Sequence, residues 1–320
     1  MHITEIQYFE VIIRKHSKMH DLKSNFDKFF RLTNKYLSGH LDSSGNVKAY
    51  RHKPKMSDSE IITLSICQES LGIDSENLFW SKLKTDYQMD FPNLIHLTRF
   101  NARKKSLGAF IKILNEVMSL ELSEGETFFI IDSLPLPVCK NARESRLKAC
   151  REVFETAPDK GYSAVNKQYF IGYKLHMVTT INGVFFSMDI SKASVHDVHY
   201  LNDLRYTGLN NCTLLGDTGY LSSEQQTDLF NTCNIELKTP MRSNQKDHKA
   251  YPFVFKKSRR RIETLFSQLC DQMMIKRNYA KTFAGLSIRI MSKVTAITAL
   301  QMINKENGKP INLIKHALAA

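Results

Sequence analysis

Three acidic residues close or interrupt apolar segments of the chain. Asp132 closes the run Phe-Phe-Ile-Ile-Asp, Asp217 closes Leu-Leu-Gly-Asp, and Glu263 lies in the helical stretch Arg-Arg-Ile-Glu-Thr-Leu-Phe. A carboxylate at the tip of a buried strand is costly unless a charged group pairs with it, and a hard cation such as Mg²⁺ is the usual partner of clustered carboxylates. Three converging acids could hold two divalent ions, which is an arrangement suited to phosphodiester chemistry.

Each acid has a simpler explanation when it is taken alone. Asp132 and Asp217 could each cap a turn after a strand, as Asp often does. Glu263 could be a solvated helix residue, although the apolar neighbours Ile262 and Leu265 place it at the margin of a core, where a carboxylate needs a partner. The metal hypothesis therefore depends on the three acids meeting in the fold.

The overall charge favours a polyanionic partner. The 320 residues include 45 Lys and Arg against 32 Asp and Glu, which gives a formal net charge of +13. A basic surface attracts nucleic acid through counterion release and electrostatic steering. With 42% hydrophobic residues the chain can bury a large core, and its length predicts two domains.

The six cysteines and the apolar segments indicate a reduced, intracellular protein. The cysteines are scattered without a C-x-x-C pair, so neither a zinc site nor a disulfide framework is predicted. The N-terminus has no signal-peptide pattern, and charges interrupt the long apolar runs, so no membrane span is expected. We expect a cytoplasmic protein.

Residues 1–120 predict a helical domain. Ser57 and Glu60 form a capping-box pattern, and apolar residues recur at helical spacing up to a break near Gly72. Two further helices follow, the second with a basic end, which favours a helix-turn-helix-like DNA-binding unit, although basic helix faces are often only solvated. The candidate DNA contacts of this unit are Arg99, Arg103, Lys104 and Lys105.

From residue 126 the pattern changes to strands. A strand over 127–132 is expected to end at Ser-Leu-Pro-Leu-Pro, because proline cannot continue a central ladder. A long basic connection over 140–167 follows, and Asn182-Gly183 then joins strands 168–180 and 184–190 in a hairpin. The remaining pattern predicts a helix over 196–205, strands over 212–216 and 235–238, and helices over 222–233 and 257–274.

Basic side chains accompany these elements. Positive charges at a helix N-terminus oppose the macrodipole, and phosphate contact would explain them. Lys174 and His176 share one face of a strand, although a lone His more often makes a structural hydrogen bond. Asp189 and Asp197 lie beside the third strand and are left out of the acidic triad. The candidate DNA contacts here are Lys174, His176, Lys256, Lys257, Arg259, Arg260 and Arg261.

Four motifs in order resemble a known family. The segments Ile-Asp-Ser-Leu-Pro-Leu-Pro, Gly-Tyr-Lys-Leu-His, Gly-Asp-Thr-Gly-Tyr-Leu-Ser and Arg-Arg-Ile-Glu-Thr-Leu-Phe are similar to those of DDE transposases of the insertion-sequence nine-eighty-two family. The resemblance implies an α+β, α/β-type ribonuclease H-like fold: a mixed five-stranded sheet flanked by helices over residues 121–320, preceded by the all-helical domain 1–120. It also implies that Asp132, Asp217 and Glu263 are the catalytic metal ligands.

The function implied by this resemblance is bacterial DNA transposition. The enzyme would use two Mg²⁺ ions, with Mn²⁺ as a substitute, to cut element ends and transfer the strand into target DNA. Its partners would be double-stranded DNA, as terminal inverted repeats and target, and a second copy of the chain in a homodimer; it would associate with the nucleoid when bound to DNA. The alternatives are a catalytically silent DNA-binding protein and another ribonuclease H-like nuclease.

Overall fold

The structure is a computed structural model that describes residues 21–164, 167–241 and 250–318. Within it the chain divides into two compact units. One unit combines the described residues up to Met118 with those from Ile288 onward, and the other is Ser119–Ser287. Helical residues from the end of the chain thus group with the helices at its beginning. The domain limits 1–120 and 121–320 remain a proposal.

The described part of the chain before the first strand contains five α-helices. Their bounds are α1 Leu22–Tyr36, α2 Asp58–Ser70, α3 Glu76–Asp86, α4 Leu97–Ser106 and α5 Gly108–Leu122. The capping box at the start of α2 is confirmed, because the Ser57 side chain accepts from the Glu60 backbone while the Glu60 side chain accepts from the Ser57 backbone. The break predicted near Gly72 is also present, since this residue has a φ of +65° directly after the helix.

Helices α7 (Phe253–Asp271) and α8 (Phe283–Glu306) complete the C-terminal part. By length and composition alone, α8 could span a membrane, contrary to the expectation that no segment could. However, 67% of its apolar stretch is buried inside the protein, as in the core helix of a soluble protein. Its charged residues Arg289 and Lys293 are buried as well and pair with Glu69 of α2.

The second unit is built around one mixed six-stranded sheet, β1 Phe128–Lys140, β2 Asp159–Ser163, β3 Gln168–Thr180, β4 Phe185–Lys192, β5 Cys212–Leu215 and β6 Ile235–Lys238. The strand order is β2-β3-β1-β5-β6, and β4 pairs with the second half of β3. Strands β1, β5 and β6 are parallel, whereas β3 is antiparallel to β1. This mixed sheet with flanking helices is consistent with the expected ribonuclease H-like fold. The sixth strand is β2, which lies within the connection predicted from the sequence.

Strand β1 does not end where the prolines predicted. It continues through Pro135 and Pro137 to Lys140, paired with β3, and its register shifts after Pro137. Its other neighbour, β5, pairs only with Phe128, Phe129 and Ile130. Beyond Ile130 one edge of β1 therefore needs no ladder partner from β5, which is the position where proline is tolerated. Asp132 lies inside this long strand rather than at its tip.

The hairpin prediction is confirmed. Strands β3 and β4 pair antiparallel and are joined through Asn182-Gly183, where Gly183 has a φ of +89°. A 3₁₀ helix, Asp197–Tyr206, follows β4, and α6 (Ser223–Cys233) connects β5 to β6. Apolar side chains of these elements, including Ile131, Leu201 and Leu214, form a buried core against the sheet. The sheet and its core hold the ends of β5 and the middle of β1 in fixed positions.

Candidate active site

Asp132 and Asp217 lie at the same level along two neighbouring parallel strands. In the parallel pairing of β1 with β5, Ile130 lies opposite Leu215. Each acid follows its paired residue by two positions, so the two carboxylates come to one edge of the sheet. Asp217 lies just after β5 and caps the short helical turn Thr218–Tyr220, where its side chain accepts a hydrogen bond of 2.8 Å from Gly219 N.

The carboxyl group of Asp132 is mostly enclosed. Its side chain is 21% exposed, and Oδ1 accepts a hydrogen bond of 2.8 Å from Ser133 N. Burial, aided by the charges of Asp217 and Asp197 and opposed by the Ser133 amide and Arg259, raises the pKa of Asp132 to about 7. Neighbouring like charges favour binding of a proton or a cation.

Helix α7 brings the third element to the site. The Arg259 Nη2 atom lies 3.8 Å from Asp132 Oδ2, and the Arg259 Nε atom is buried without a hydrogen-bond partner among the described residues. Glu263 follows Arg259 by one helical turn, so the two side chains share a face of α7, with roughly 5 to 6 Å between Cβ atoms. Ile262, Leu265 and Leu269 pack this helix into the core, whereas Glu263 itself is exposed.

The donor set fits a hard divalent cation, but the described residues do not form a preassembled site. Across residues 21–164, 167–241 and 250–318, no three Asp, Glu, His or Cys side chains converge closely enough to hold a metal ion. Asp132 and Asp217 nevertheless come from neighbouring strands, and the charge of Asp217 acts on Asp132. Carboxylate oxygens are the ligands that Mg²⁺ and Mn²⁺ prefer. Glu263 lies one helical turn from Arg259, which contacts Asp132, but Glu263 does not form a three-residue cluster with Asp132 and Asp217.

Asp197, which the sequence analysis left out of the triad, lies beside Asp217. A Cβ atom placed on Gly219 would lie 3.0 Å from Asp217 Oδ1 and 3.7 Å from Asp197 Oδ2, so both carboxylates face the same point. Asp197 also contributes to the raised pKa of Asp132. Sequence spacing did not reveal this, because Asp197 begins a 3₁₀ helix after β4 and approaches the acids only through the tertiary fold.

Tyr220 is a second residue that the sequence did not single out for this site. Its side chain is fully buried, and its hydroxyl has no hydrogen-bond partner among the described residues. Burial raises the pKa of Tyr220 well above its usual value, and the charges of Asp197, Asp132 and Asp217 add to the rise. The hydroxyl therefore lies in the electric field of all three carboxylates.

Lys174 and His176 occupy enclosed positions on β3. The Lys174 ammonium donates 2.8 Å and 2.9 Å hydrogen bonds to Val195 O and Asp197 Oδ1. His176 is 1% exposed and its Nε2 lies 2.7 Å from Ser191 Oγ. The burial of His176 argues against the DNA contact expected of it and favours the structural alternative.

The four basic candidates of the N-terminal helices differ in their solvent exposure. Arg99 and Lys105 are exposed. Arg103 donates to Met56 O and to Asp58, and Lys104 is 3% exposed, with its Nζ atom 3.7 Å from Glu76. Arg103 and Lys104 thus already bind groups of the protein itself. We therefore confine the proposal of DNA contact in these helices to Arg99 and Lys105.

The basic run on α7 remains accessible. Lys256, Lys257 and Arg260 are exposed, and Arg261 is partly exposed. The helix begins at Phe253, earlier than predicted, so the run starts after the first turn. The macrodipole falls off within that turn, which removes the conflict with the dipole as a reason for phosphate contact. The exposure of the basic run and the contact of Arg259 with Asp132 are the observations that still favour phosphate contact.

Comparison with known protein families agrees with this geometry. The fold is consistent with a ribonuclease H-like domain, with Asp132 on the central strand β1 and Asp217 just after its parallel neighbour β5. Residues 123–299 match the model of the transposase DDE domain. The chain belongs to this family, and it is therefore a transposase enzyme that acts on DNA. No curated protein and no solved structure matches the chain.

Proposed function

We propose that this transposase cuts the phosphodiester at the ends of a bacterial insertion sequence and joins the freed 3′-hydroxyl to target DNA. The observation that supports it best is the meeting of three elements: Asp132 on β1, Asp217 after β5, and α7, which reaches Asp132 through Arg259. The finer assignment to the insertion-sequence nine-eighty-two family rests on the four sequence motifs.

Asp132, Asp217 and Glu263 are the proposed ligands of two divalent cations. When bound, such cations lower the pKa of an attacking water or hydroxyl and stabilise the leaving oxygen. Asp132, whose carboxyl group is mostly enclosed, would hold the cations together with Asp217 and Glu263. Because Glu263 is exposed and outside the Asp132–Asp217 pair, the proposal requires the site to assemble when metal and DNA are present.

The chain's own basic residues supply the DNA contacts in this proposal. The exposed residues Lys256, Lys257 and Arg260 lie on the helix that carries Glu263, so they would hold the phosphates beside the reacting bond. Arg99 and Lys105 would contact DNA from a helix-turn-helix-like unit within residues 1–120. A homodimer would pair the two ends of the element, and the protein would act in the cytoplasm on nucleoid DNA.

The decisive experiment is cleavage of labelled duplexes that carry the DNA flanking the gene, with Mg²⁺ or Mn²⁺. We expect Asp132→Asn, Asp217→Asn and Glu263→Gln each to lose at least about 100-fold in cleavage rate while still binding the duplex, because each removes one charged metal ligand. Glu236→Gln, an exposed acid on β6, is the matched control and should cut like the wild type.

Two other outcomes would favour the alternatives. Wild-type protein that binds the duplex but never cuts it with either metal would indicate a catalytically silent DNA-binding protein. Faster cutting of an RNA–DNA hybrid than of the flanking duplex would indicate a different nuclease on the same fold. Unchanged cleavage in Asp132→Asn would remove the carboxylate assignment.

A further inference from the structure

Two residues border the Asp132–Asp217 pair and have no part in the proposed ligand set. Asp197 starts the 3₁₀ helix after β4, and Tyr220 ends the turn that Asp217 caps. They come from different segments of the chain and meet at the same acids. Their position calls for a physical explanation, because one is a third carboxylate beside two others and the second is a buried hydroxyl without a partner among the described residues.

Lys174 fixes the position of Asp197. Its ammonium donates to Asp197 Oδ1 and to Val195 O, so the lysine ties β3 to the segment that precedes the 3₁₀ helix. The other carboxylate oxygen, Oδ2, faces Gly219 and the Asp217 side chain. Asp197 is thus held with one oxygen neutralised and one directed at the acids.

Tyr220 is an unsatisfied donor. A buried hydroxyl without a hydrogen bond destabilises the fold, so native proteins nearly always provide a partner. The groups whose charges act on the Tyr220 hydroxyl are Asp197, Asp132 and Asp217, and each carboxylate can accept its proton. A hydrogen bond to one of these carboxylates would satisfy the hydroxyl.

The charges around the acids favour binding of a cation. Three carboxylates face two basic side chains, Arg259 beside Asp132 and Lys174 beside Asp197. Negative charge is therefore in excess around these acids, and like charges favour binding of a cation. A divalent cation would offset this excess.

Resting on the function proposed above, we propose that Asp197 and Tyr220 are positioning residues of the metal site. Asp197, anchored by Lys174, adds negative charge that strengthens cation binding by its neighbours. Tyr220 donates a hydrogen bond to an adjacent carboxylate and fixes its orientation. Outer groups that orient metal ligands in this way typically contribute 10- to 100-fold, by order of magnitude, to metal affinity.

The test is Mn²⁺ binding to the full chain without DNA, measured from the free-ion signal in electron paramagnetic resonance. We expect Asp197→Asn to weaken Mn²⁺ binding roughly 10-fold or more, and Tyr220→Phe roughly 3- to 10-fold, because each removes a group that positions the metal ligands. Asp197→Glu should recover part of the affinity. Asp132→Ala is the reference for loss of a direct ligand.

The matched controls come from the same region. Asp189→Asn removes an exposed acid on β4, and Tyr206→Phe removes an exposed hydroxyl from the 3₁₀ helix that Asp197 begins. Both should bind Mn²⁺ like the wild type. Tyr220→Phe should also unfold at the same temperature as the wild type or a higher one in metal-free buffer, because the hydroxyl makes no hydrogen bond there, yet gain less stability from Mn²⁺.

A second measurement separates positioning from general damage to the fold. In cleavage assays, Asp197→Asn and Tyr220→Phe should require more Mn²⁺ for half-maximal rate, while their rates at saturating Mn²⁺ stay within about 3-fold of the wild type, because a positioning residue acts on affinity. If Asp132→Ala loses affinity but Asp197→Asn and Tyr220→Phe do not, the positioning roles are refuted and the proposed function stands. If Asp132→Ala binds Mn²⁺ like the wild type, both fail.

Discussion

His176 illustrates how burial decides the role of a single polar side chain. The imidazole contacts Ser191 Oγ through Nε2 and stacks on the Tyr200 ring, with 5.0 Å between centroids. Burial, aided by the charge of Lys174, lowers the pKa of His176 to about 4. The charges of Asp197 and Asp189 oppose this change. The folded protein therefore contains the neutral imidazole of His176 at pH 7.

This shifted pKa predicts a loss of stability in mild acid. The unfolded chain binds a proton at His176 as the pH falls through about 6.5, whereas the folded chain does so only near its pKa of about 4. Stability should thus fall between these two values and level off below the lower one. The contribution lost between pH 7 and pH 5 should be roughly 2 kcal/mol.

Urea unfolding at pH 7 and pH 5 measures this effect. The wild type should lose more free energy of unfolding than His176→Asn by roughly the predicted 2 kcal/mol, since the variant lacks the titrating group. His199→Asn, an exposed histidine on the following 3₁₀ helix, is the matched control and should keep the wild-type dependence. Equal losses in wild type and His176→Asn would contradict the prediction.

Single-residue roles were predictable where local sequence defines the environment. Asp132 and Asp217 end apolar segments that form neighbouring parallel strands, so their meeting follows from the pattern and the fold class. The sequence around Asp197 and Tyr220 has no pattern that would have predicted their position beside the acids. They reach the acids through the Lys174 ion pair and the turn at Gly219, and these depend on tertiary packing.

At the scale of elements, the pairing of β1 with β3 holds the site in place. The two strands approach closely at Gly172, where β1 changes register after Pro137. A Cβ atom on Gly172 would collide with the carbonyl oxygen of Leu136 and lie 2.9 Å from Val138 N. Backbone atoms cannot move aside as a flexible side chain can, so this position requires glycine.

Gly172→Ala should therefore be strongly destabilising. We expect a loss of about 3 kcal/mol in the free energy of unfolding, because the methyl group forces β1 and β3 apart. Gly39→Ala is the control, since a Cβ atom there meets nothing within 4 Å. Urea denaturation monitored by circular dichroism gives both values, and a loss below about 1 kcal/mol at Gly172 would show that the strands can adjust.

The elements themselves were largely predictable, and the exceptions have physical causes. The bounds of β3 and β6 agree with the predicted strands, the capping box located the start of α2, and the predicted helix over 222–233 agrees with α6. Strand β1 was cut short because proline was judged by a rule for central ladders. Strand β2 was missed because its short polar sequence pairs with β3 at the sheet edge, which is long-range information.

Helix α8 depends on a buried ionic cluster with helices α2 and α4. Glu69 has no solvent exposure, and its partners are Arg289 Nε at 3.1 Å, Lys293 by a short contact, and Lys104 at 4.0 Å. Burial raises the pKa of Glu69, but the three cations together hold it below its usual value. One carboxylate thus compensates several enclosed positive charges.

Glu69→Gln should destabilise this helical unit more than an ordinary surface change. Leaving buried cations without their counter-charge costs about 3 to 5 kcal/mol. Glu306→Gln is the matched control, because Glu306 pairs with Arg31 at a partly exposed site and should cost at most about 1 kcal/mol. Differential scanning calorimetry or urea unfolding of both variants compares the two sites, and similar losses would contradict the cluster's role.

At the scale of the whole molecule, the excess of positive charge sets the strength of DNA binding. The net charge of +13 is a property of the complete sequence, whereas the proposed contacts select a few residues from the 45 Lys and Arg. Solvent exposure distinguishes the proposed contacts from the other basic residues, because buried cations such as Lys104 and Lys293 pair with acids inside the protein. Net charge was thus readable from composition, but the division between surface and core was not.

The salt dependence of DNA binding tests this division. Each phosphate contact contributes about 0.9 to the slope of log K against log salt concentration, so neutralising Lys256, Lys257 and Arg260 to Gln should reduce the slope by about 2 to 3. The control triple of Lys305, Lys309 and Lys315 to Gln removes the same net charge from exposed C-terminal positions and should change the slope by less than about 1.

Fluorescence anisotropy of a labelled duplex between about 50 and 200 mM salt gives the slopes, and the steep dependence expected of phosphate contacts makes this range sufficient. Equal slopes for the two triples would mean that total charge, and not the face of α7, governs binding. A smaller slope only for the α7 triple would place DNA along the helix that carries Glu263, because counterions are released where phosphates are contacted.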